Sequence, residues 1–439
     1  MSEIRAAFYG DDFTGSVDAL LQFARRGWSG RLFTTLPTPA ALHAAAREVD
    51  VVGIAGIARS LPPERMDAEV TPALQALVAT GAPIVQYKAC STADSAPEVG
   101  SLGRVIEIGR EIVAPRPVPM LFAQPDFGRF TLFGTHFASE NGVVHRLDRQ
   151  PTMSTHPSTP MTEADLAIHI GRQTALPVGA LPLTAYADLA QRLRDADVAG
   201  VVLDAVTDAD LVTVGTALRD LSAPVFAIGS GGLSQGIAAA APGMSAAVPV
   251  ATPAAGAVLV VSGSRSPQTR RQAEAAAAAG WLVRPLPLDL AGAAEAAQEA
   301  VAALASGRGV VFTSADAEVS AVGDRPILEA IAEASAIIVD AAAQARASRR
   351  VIVCGGDTSS RITRLLGIEA LSIAANPWGN VVLLRPHAAD PAIDRLELLL
   401  KGGQVGADTL FLDVAALDGC ARRGTRFASR PLRPSVPER

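Results

Sequence analysis

The segment AAFYGDDFTGSVDALLQFARRG, residues 6–27, joins a short apolar run, an acidic turn and a helical pattern. The helix predicted over 16–26 has one apolar face and ends at Gly27, a residue typical of helix C-termini. An N-cap needs only one aspartate, whereas the adjacent Asp11 and Asp12 repel each other. The pair therefore indicates either a helix cap with an acidic neighbour or two carboxylates kept for chemistry.

This strand-and-helix pattern recurs along the chain. Short apolar runs separated by amphipathic helices are typical of buried parallel strands, and they occur at 51–57, 84–88, 119–123, 200–204, 224–229, 257–264, 309–314, 350–356 and 380–386. We therefore predict an α/β fold of two domains with mainly parallel sheets. Ligands of such sheets bind beyond the carboxyl ends of the strands, so we expect the active site in the interdomain cleft.

The domain boundary is predicted from a segment of proline, glycine and small residues at 241–257. We place an N-terminal domain at 1–245, a linker at 246–256 and a C-terminal domain at 257–420. The last residues, 421–439, are rich in arginine and proline and are predicted to form a basic, flexible tail.

Composition argues against several functional classes. The 439 residues are 49% hydrophobic and 19% charged, and the net charge of −6 predicts no nucleic-acid partner. No stretch has the pattern of a signal peptide or the length of a membrane span, so no membrane partner is expected. Cys90, Cys354 and Cys420 lack the spacing of a zinc site, and no metal-binding residues are assigned. The simplest location is the cytoplasm.

Lysine is almost absent from the chain. Lys88 and Lys401 are its only two lysines among 38 basic residues. Lysine carries a compact point charge on a thin stem, whereas arginine ends in a wide planar fork. The two lysines are therefore candidates for positions where arginine does not fit, with chance as the simpler explanation.

Polar residues follow three strands of the N-terminal domain, in YGDDFTG, AGIARS and QYKACSTADS. Parallel strand ends share one edge of a sheet, which predicts a rim containing Asp11, Asp12, Arg59, Lys88, Ser91, Thr92 and Asp94. Cations suit a substrate carboxylate, and aspartates suit hydroxyl groups. The rim therefore predicts a site for a small polyhydroxy acid, although Arg59 alone is equally explained as a surface residue.

The C-terminal domain contains two glycine turns that each lead from a strand into a helix, in VVSGSRSPQTRRQ (260–272) and VCGGDTSSRITRLLG (353–367). Backbone N–H groups in such turns form anion cradles at helix N-termini. Neither turn has Walker spacing, and GSGGLSQG (229–236) is not a complete dinucleotide fingerprint. Together with the Lys-Gly-Gly stretch at 401–403, the turns favour nucleotide binding over simple tight connections.

Five motifs resemble the four-carbon acid sugar kinases: GDDFTGSVDAL, KACSTADS, GSRSPQT, GGDTSSRI and KGGQVGADTLF. The resemblance extends from about residue 6 to residue 412, with the motifs in the family's order. It implies an N-terminal substrate domain, a C-terminal nucleotide domain, and ATP-dependent phosphorylation of D-threonate, D-erythronate or a related acid sugar in carbohydrate metabolism.

The resemblance also implies roles for individual residues. An acid-sugar pocket would be lined by Asp11, Asp12, Arg59, Lys88, Ala89, Cys90 and Ser91, and ATP would contact Ser264, Gly355, Gly356, Asp357, Thr358 and Gly402. One departure concerns the substrate. The family pattern has Asp at the position of Cys90 and an Arg after Thr92, where this chain has Ala93. This difference favours a branched or keto acid over the simple four-carbon acids.

Phosphoryl transfer requires a base for the attacking hydroxyl and control of phosphate charge. We predict Asp12 as the base, with Asp11 and Asp357 as the other candidates. Asp357 is alternatively a partner of Mg²⁺, which we expect together with ATP. Lys88 is expected to bind the substrate carboxylate or the transferring phosphoryl group.

Other functions stay open at this point. A non-catalytic sugar-acid sensor would use the same pocket, but it has no need of an ATP cradle. A dehydrogenase lacks its fingerprint here, and a metal-dependent aldolase lacks a histidine cluster. The sequence does not give the oligomeric state, and a homodimer is one option.

Overall fold

The computed structural model describes residues 4–245, 248–252, 256–316, 326–379 and 381–417. The strands of the N-terminal half are β1 (Ala6–Gly10), β2 (Gly30–Phe33), β3 (Val51–Ala55), β4 (Ile84–Lys88), β5 (Val118–Leu121), β6 (Arg129–Leu132), β7 (Thr135–Glu140), β8 (Val143–Arg146), β9 (Val178–Leu181), β10 (Gly200–Leu203) and β11 (Val225–Gly229). Its helices are α1 (Phe13–Ala24), α2 (Pro39–Ala46), α3 (Pro63–Ala79), α4 (Leu102–Ile112), α5 (Pro151–Ser154), α6 (Leu166–Gly171), α7 (Leu189–Asp195), α8 (Asp208–Arg219) and α9 (Gly231–Ala239).

The C-terminal half contains β12 (Leu259–Ser262), β13 (Leu282–Pro285), β14 (Val310–Thr313), β15 (Arg350–Cys354), β16 (Ile368–Trp378), β17 (Val381–Ala388) and β18 (Glu397–Lys401). Its helices are α10 (Pro267–Ala278), α11 (Leu290–Ala305), α12 (Ile327–Gln344), α13 (Gly356–Leu365), α14 (Pro391–Asp394) and α15 (Leu410–Ala415). The predicted tail, 421–439, lies outside the described residues.

Each half is built on a mainly parallel sheet, which confirms the predicted fold class. The N-terminal strands run in the order β2-β3-β1-β4-β11-β5-β10-β9, and every pairing among them is parallel. In the C-terminal half, β13-β14-β12-β15-β18 are parallel and β17 and β16 are antiparallel. Strands such as β1 and β4 are buried throughout, because helices cover both faces of a parallel sheet.

The two sheets are joined into one of 15 strands, which the sequence did not predict. Strand β16 pairs antiparallel with β2, bringing Ala370 opposite Phe33 and Leu371 opposite Leu32. Arg25, just after α1, also donates to Asn376 Oδ1 at 3.0 Å across the same boundary. The domains are therefore connected by backbone pairing as well as by the linker.

The described parts of the predicted linker are attached to the C-terminal domain. Thr252 donates to a carboxylate oxygen of Glu397 at 2.8 Å, and the same oxygen accepts from the buried guanidinium of Arg350 at 3.0 Å. The carbonyl of Pro249 accepts from the N–H of Asn376 at 2.8 Å. These contacts hold Pro249 and Thr252 against the C-terminal domain.

A small antiparallel sheet, β6-β7-β8, is inserted after β5 and was also not predicted. It begins beside the rim, because the N–H of Gln124 donates to the carbonyl of Arg129 at 2.9 Å and the reverse bond measures 3.1 Å. Among the residues the structure describes, none of the helices has the length and apolar character needed to cross a membrane.

Candidate active site

The acidic turn after β1 is held by Arg59. Asp11 is buried and accepts from the guanidinium through both oxygens, with Nη2 at 2.6 Å from Oδ1 and Nε at 3.2 Å from Oδ2. Burial raises the pKa of Asp11, and Arg59 opposes that shift. Burial alone would lower the pKa of Arg59, but Asp11 and Asp12 raise it well above its ordinary value. Arg59 is therefore committed to the aspartate pair.

Asp12 is both a helix cap and a partly exposed carboxylate. Its Oδ1 accepts from the N–H of Gly15 at 2.8 Å and from Arg59 Nη2 at 2.9 Å. Its Oδ2 accepts no hydrogen bond from the part of the chain that the structure describes, and the side chain is 32% exposed. The capping explanation is thus correct for Asp12, and one oxygen remains available to a ligand.

Lys88 ends β4 and reaches the N-terminal turn of α1. The lysine is 3% exposed, and its Nζ donates to the carbonyl of Ala89 at 3.0 Å. The same Nζ lies 3.8 Å from Oδ2 of Asp18 in α1. A side chain on Gly15 would place its Cβ 3.0 Å from Lys88 Nζ and 2.4 Å from Asp12 Oδ1. Glycine at position 15 therefore makes room for both charged groups.

The segment after Lys88 is supported by a buried histidine. Ser91 accepts a hydrogen bond on its carbonyl from His136 Nε2 at 2.8 Å, which places the ring proton on Nε2. His136 Nδ1 accepts from the Thr131 hydroxyl at 2.9 Å. Burial lowers the pKa of His136 to about 3, although the bond to Ser91 opposes the shift. The imidazole is therefore neutral in the folded protein near neutral pH.

This histidine makes stability depend on pH. In the unfolded chain His136 takes up a proton below about pH 6.5, whereas the folded chain takes it up only near about pH 3. As the pH is lowered from about 6.5 to about 3, we therefore expect this residue to reduce the free energy of unfolding by up to about 1.4 kcal/mol per pH unit. The free energy of unfolding, measured with urea at several pH values between about 4 and 7, should change less steeply with pH for His136→Gln than for wild type. An unchanged slope would contradict a buried neutral imidazole.

In the C-terminal domain, the neighbouring parallel strands β12, β15 and β18 end in adjacent glycine turns. The N–H of Gly263 donates to the carbonyl of Cys354 at 3.0 Å, and the N–H of Gly355 donates to that of Lys401 at 2.9 Å. Gly355 has a φ of +115°, a conformation that favours glycine. Ser266 caps α10, and α13 starts immediately after Gly355. Two helix N-termini thus open at one edge, an arrangement suited to anions.

The predicted ATP residues lie together around these turns. Thr358 is buried against Gly263, and a Cβ placed on Gly355 would be 3.6 Å from the backbone nitrogen of Ser264. Gly356 and Asp357 are exposed at the start of α13. The remaining predicted residue, Gly402, follows β18 and is partly exposed.

Gly263 offers a test of this packing. A Cβ at position 263 would lie 2.1 Å from Thr358 Oγ1 and 3.1 Å from Thr358 Cβ, so Gly263→Ala must push the two turns apart. We expect the KM for ATP to rise about tenfold, the effect of about 1.4 kcal/mol. Steady-state kinetics would measure it, with Gly171→Ala as control because its nearest neighbour is 4.0 Å away. An unchanged KM for ATP in Gly263→Ala would contradict the prediction that these two glycine turns bind ATP.

Lys401 lies beneath the same edge. The lysine is 2% exposed and donates to the Thr269 hydroxyl at 3.1 Å. Burial lowers the pKa of Lys401, and the adjacent thiol of Cys354 opposes that shift. Burial also raises the pKa of Cys354 to about 11. Cys354 is therefore a neutral thiol beneath a buried amine.

A cleft of about 230 Å³ lies between the two domains, and of the predicted ATP residues only Gly402 is part of its lining. Its polar lining includes both lysines and comprises Asp12, Thr14, Asp18, Arg59, Lys88, Cys90, Ser91, Gln124 and Lys401. A Cβ on Gly356 would lie 3.9 Å from the hydroxyl of Thr14, so the N-termini of α13 and α1 approach each other. Their helix dipoles both present positive ends to this space.

Most predicted substrate residues reach the cleft, and two do not. Asp12, Arg59, Lys88, Cys90 and Ser91 line it. Asp11 lies buried behind Arg59, and Ala89 is buried with its N–H donating to the carbonyl of Gly229 at 2.9 Å. Among the other rim candidates, Thr92 and Asp94 are absent from the lining, and the hydroxyl of Thr159 donates to Asp94.

Two polar residues of the cleft were missed from the sequence. Asp18 lies one helical turn after Thr14, a position that periodicity along α1 would have indicated. Gln124 follows β5, and the rule that polar residues at strand ends form sites would have selected it.

The two halves of the chain match known domain families. Residues 6–237 match the sugar-binding N-terminal domain, and residues 259–411 match the nucleotide-binding C-terminal domain. The chain is 38% identical to the 3-oxo-isoapionate kinase of Paraburkholderia graminis, over 92% of this chain and 93% of that protein. It is 34% identical to the 3-oxo-tetronate kinase of Cupriavidus necator, over 91% of this chain and 94% of that one.

Solved structures show the same fold. A protein of Salmonella typhimurium LT2 superposes with a TM-score of 0.74 at 23% identity, covering 93% of this chain and 98% of its own. A Haemophilus influenzae protein gives a TM-score of 0.70, also at 23% identity and with the same coverage. At this identity the likeness concerns the fold alone.

Proposed function

The chain belongs to the four-carbon acid sugar kinase family and is a sugar-acid kinase, and from this premise we propose that its cleft phosphorylates a branched or keto acid sugar with ATP. The observation that carries the proposal is the meeting of two unlike polar edges. One edge has carboxylates and Lys88, and the other has Lys401 and Gly402, at the end of the strand beside the turn at Gly355. A kinase needs both a hydroxyl-binding and a phosphate-binding surface in one water-poor space.

We propose Asp12 as the base for the attacking hydroxyl. Its Oδ1 is held by Gly15 and Arg59, which fixes the carboxylate, while Oδ2 is available in the cleft. Arg59 contacts both carboxylates of the aspartate pair and balances their negative charge. In this scheme Oδ2 accepts the hydroxyl proton, the hydroxyl oxygen forms a bond to the γ-phosphorus, and the bond from that phosphorus to the bridging oxygen breaks so that ADP leaves.

The glycine turns are proposed to hold the phosphates of ATP. Backbone N–H groups at the start of α13, next to Gly355, donate without the cost of ordering a side chain. Lys401 supplies a positive charge below them, and Lys88 faces it from the substrate edge. Developing negative charge on the transferred group would thus lie between two cations.

The donor set fits a magnesium ion carried in with the nucleotide. Mg²⁺ in kinases is held by one or two carboxylates and by phosphate oxygens. Asp12 and Asp18 line the cleft, and Asp357 is exposed at the start of α13, where we propose it as the protein ligand. Within the described ranges no group of three metal-binding side chains occurs. The ion would neutralise charge on the phosphate oxygens.

The substrate class is proposed from Cys90 and from the relatives. A thiol is a weak hydrogen-bonding group, so a buried substrate hydroxyl placed against Cys90 would go unpaired. The Paraburkholderia graminis and Cupriavidus necator relatives are named for 3-oxo acids, one of them 3-oxo-isoapionate. We propose that this chain, too, acts on a 3-oxo or branched acid.

A coupled ADP-release assay tests this directly. The panel would contain 3-oxo-isoapionate, 3-oxo-tetronate, D-threonate and D-erythronate. We expect kcat/KM of about 10⁴ M⁻¹s⁻¹ or more for a 3-oxo acid and markedly less for the other two. Faster turnover of D-threonate or D-erythronate would contradict the substrate class, and binding without turnover would favour a sensor. The cytoplasmic location and the homodimer stay predictions.

A further inference from the structure

Gln124 has an unpaired buried acceptor at the cleft. Its side chain is 1% exposed, and its Oε1 has no hydrogen-bond partner among the residues the structure describes. A buried acceptor left unpaired is costly, and such atoms in native proteins are few. Because Gln124 lines the cleft, the missing partner can come from a ligand.

The orientation of this amide is fixed by Asp18. Gln124 Nε2 lies 3.4 Å from both carboxylate oxygens of Asp18, a distance at which the donor end of the amide must face the acid. Turning the amide over would place Oε1 against two oxygens of like charge. Oε1 is therefore directed away from Asp18.

The backbone of Gln124 is fixed as well. Its N–H and carbonyl both pair with Arg129 at the start of β6, at 2.9 and 3.1 Å, and the carbonyl also accepts from the N–H of Phe127 at 2.9 Å. A side chain held at both ends loses little freedom when a ligand binds, which is how binding sites gain affinity.

We propose that Gln124 is a substrate-recognition residue whose Oε1 accepts a hydrogen bond from a hydroxyl of the acid sugar, with Asp18 as the residue that orients it. The inference rests on the proposed function, because the ligand is the substrate of the kinase. In this arrangement a hydroxyl group of the substrate lies on the side of the cleft formed by Gln124 after β5 and Asp18 in α1. Cys90, in contrast, faces a part of the substrate without such a hydroxyl.

Gln22 provides a matched control. It is also 1% exposed, and its Nε2 donates to Asp18 at 2.9 Å, yet it is not part of the cleft lining. Gln124→Met and Gln22→Met therefore each remove a buried amide that donates to the same carboxylate. Only the first removes an acceptor available to the substrate.

The experiment measures steady-state kinetics of both variants with the best substrate of the panel. We expect Gln124→Met to lower kcat/KM for the acid sugar about tenfold to a hundredfold, with KM for ATP within about threefold of wild type. Gln22→Met should stay within about threefold for both substrates. Melting temperatures of the ligand-free proteins should fall no further for Gln124→Met than for Gln22→Met, because its Oε1 makes no bond to lose.

A second readout uses the substrate. With wild type, an analogue lacking the recognised hydroxyl should be a poorer substrate than the parent acid sugar. With Gln124→Met the analogue and the parent should have similar kcat/KM, because both changes remove the same hydrogen bond. If the two methionine variants show equal kinetics while the wild type is active, the inference is wrong and the kinase function stands. If wild type turns over no acid sugar, both are overturned.

Discussion

Asp12→Asn is expected to lower kcat about a hundredfold or more while the KM for ATP stays within about threefold of wild type. The amide keeps the shape of the side chain, and its oxygen can still accept from the N–H of Gly15, so the start of α1 is retained. It cannot take a proton from a substrate hydroxyl at neutral pH. Steady-state kinetics with ATP and the best acid sugar would measure both constants.

Asp357→Asn is the matched comparison. Asp357 is the rival base, and it lies exposed at the N-terminus of α13 on the nucleotide edge. As a ligand of Mg²⁺ rather than a base, it should raise the KM for ATP–Mg²⁺ and respond to added metal. An active Asp12→Asn enzyme beside an inactive Asp357→Asn enzyme would move the role of base to Asp357.

The sequence was sufficient to predict those structural features that depend on residues close to one another in the chain. A strand, an acidic turn and a capped helix follow one another within 6–27, and β1 and α1 form there, although α1 spans Phe13–Ala24 rather than the predicted 16–26 because Asp12 is its N-cap. The same holds for the turns before α10 and α13, where glycine follows a buried strand. In each case the neighbouring residues carry both the apolar period and the turn chemistry.

Features that depend on distant contacts were not predictable. The joining of the two sheets rests on the short pairing of β2 with β16, and nothing in residues 30–33 specifies a partner so far along the chain. The strands β6 and β8 were missed because β6 has only one buried residue and β8 has none, so neither contains a continuous buried apolar run.

The same distinction applies to the site. Charged groups at strand ends could be selected from the sequence, but their pairing could not. Arg59 was expected to serve the substrate carboxylate; it lines the cleft, and it also contacts Asp11 and Asp12 at 2.6 and 2.9 Å, which was not predicted. Lys88, the other cation on the substrate edge, has a weaker carboxylate contact, because its Nζ lies 3.8 Å from Oδ2 of Asp18. Lys88 is therefore the cation more available to the substrate.

Lys88→Arg is therefore expected to lower kcat/KM about a hundredfold although the charge is retained, because displacement of a catalytic group by about 1 Å costs that much. Lys88 is 3% exposed, with Nζ 3.0 Å from the carbonyl of Ala89. Position 15 has no room even for a methyl group beside that Nζ. The planar guanidinium is wider than an ammonium group, so it must displace Asp12 or Asp18.

Lys88→Met separates charge from size, because its unbranched side chain is one atom shorter than lysine, fits the same space and carries no charge. Kinetics for both variants, with melting temperatures as the check on folding, would measure the two contributions. We expect both variants to lose activity and to keep their KM for ATP within about threefold of wild type, since the glycine turns are unchanged. Near-normal activity of Lys88→Arg beside an inactive Lys88→Met would show that charge alone matters. The scarcity of lysine in this chain would then carry no information about its active site.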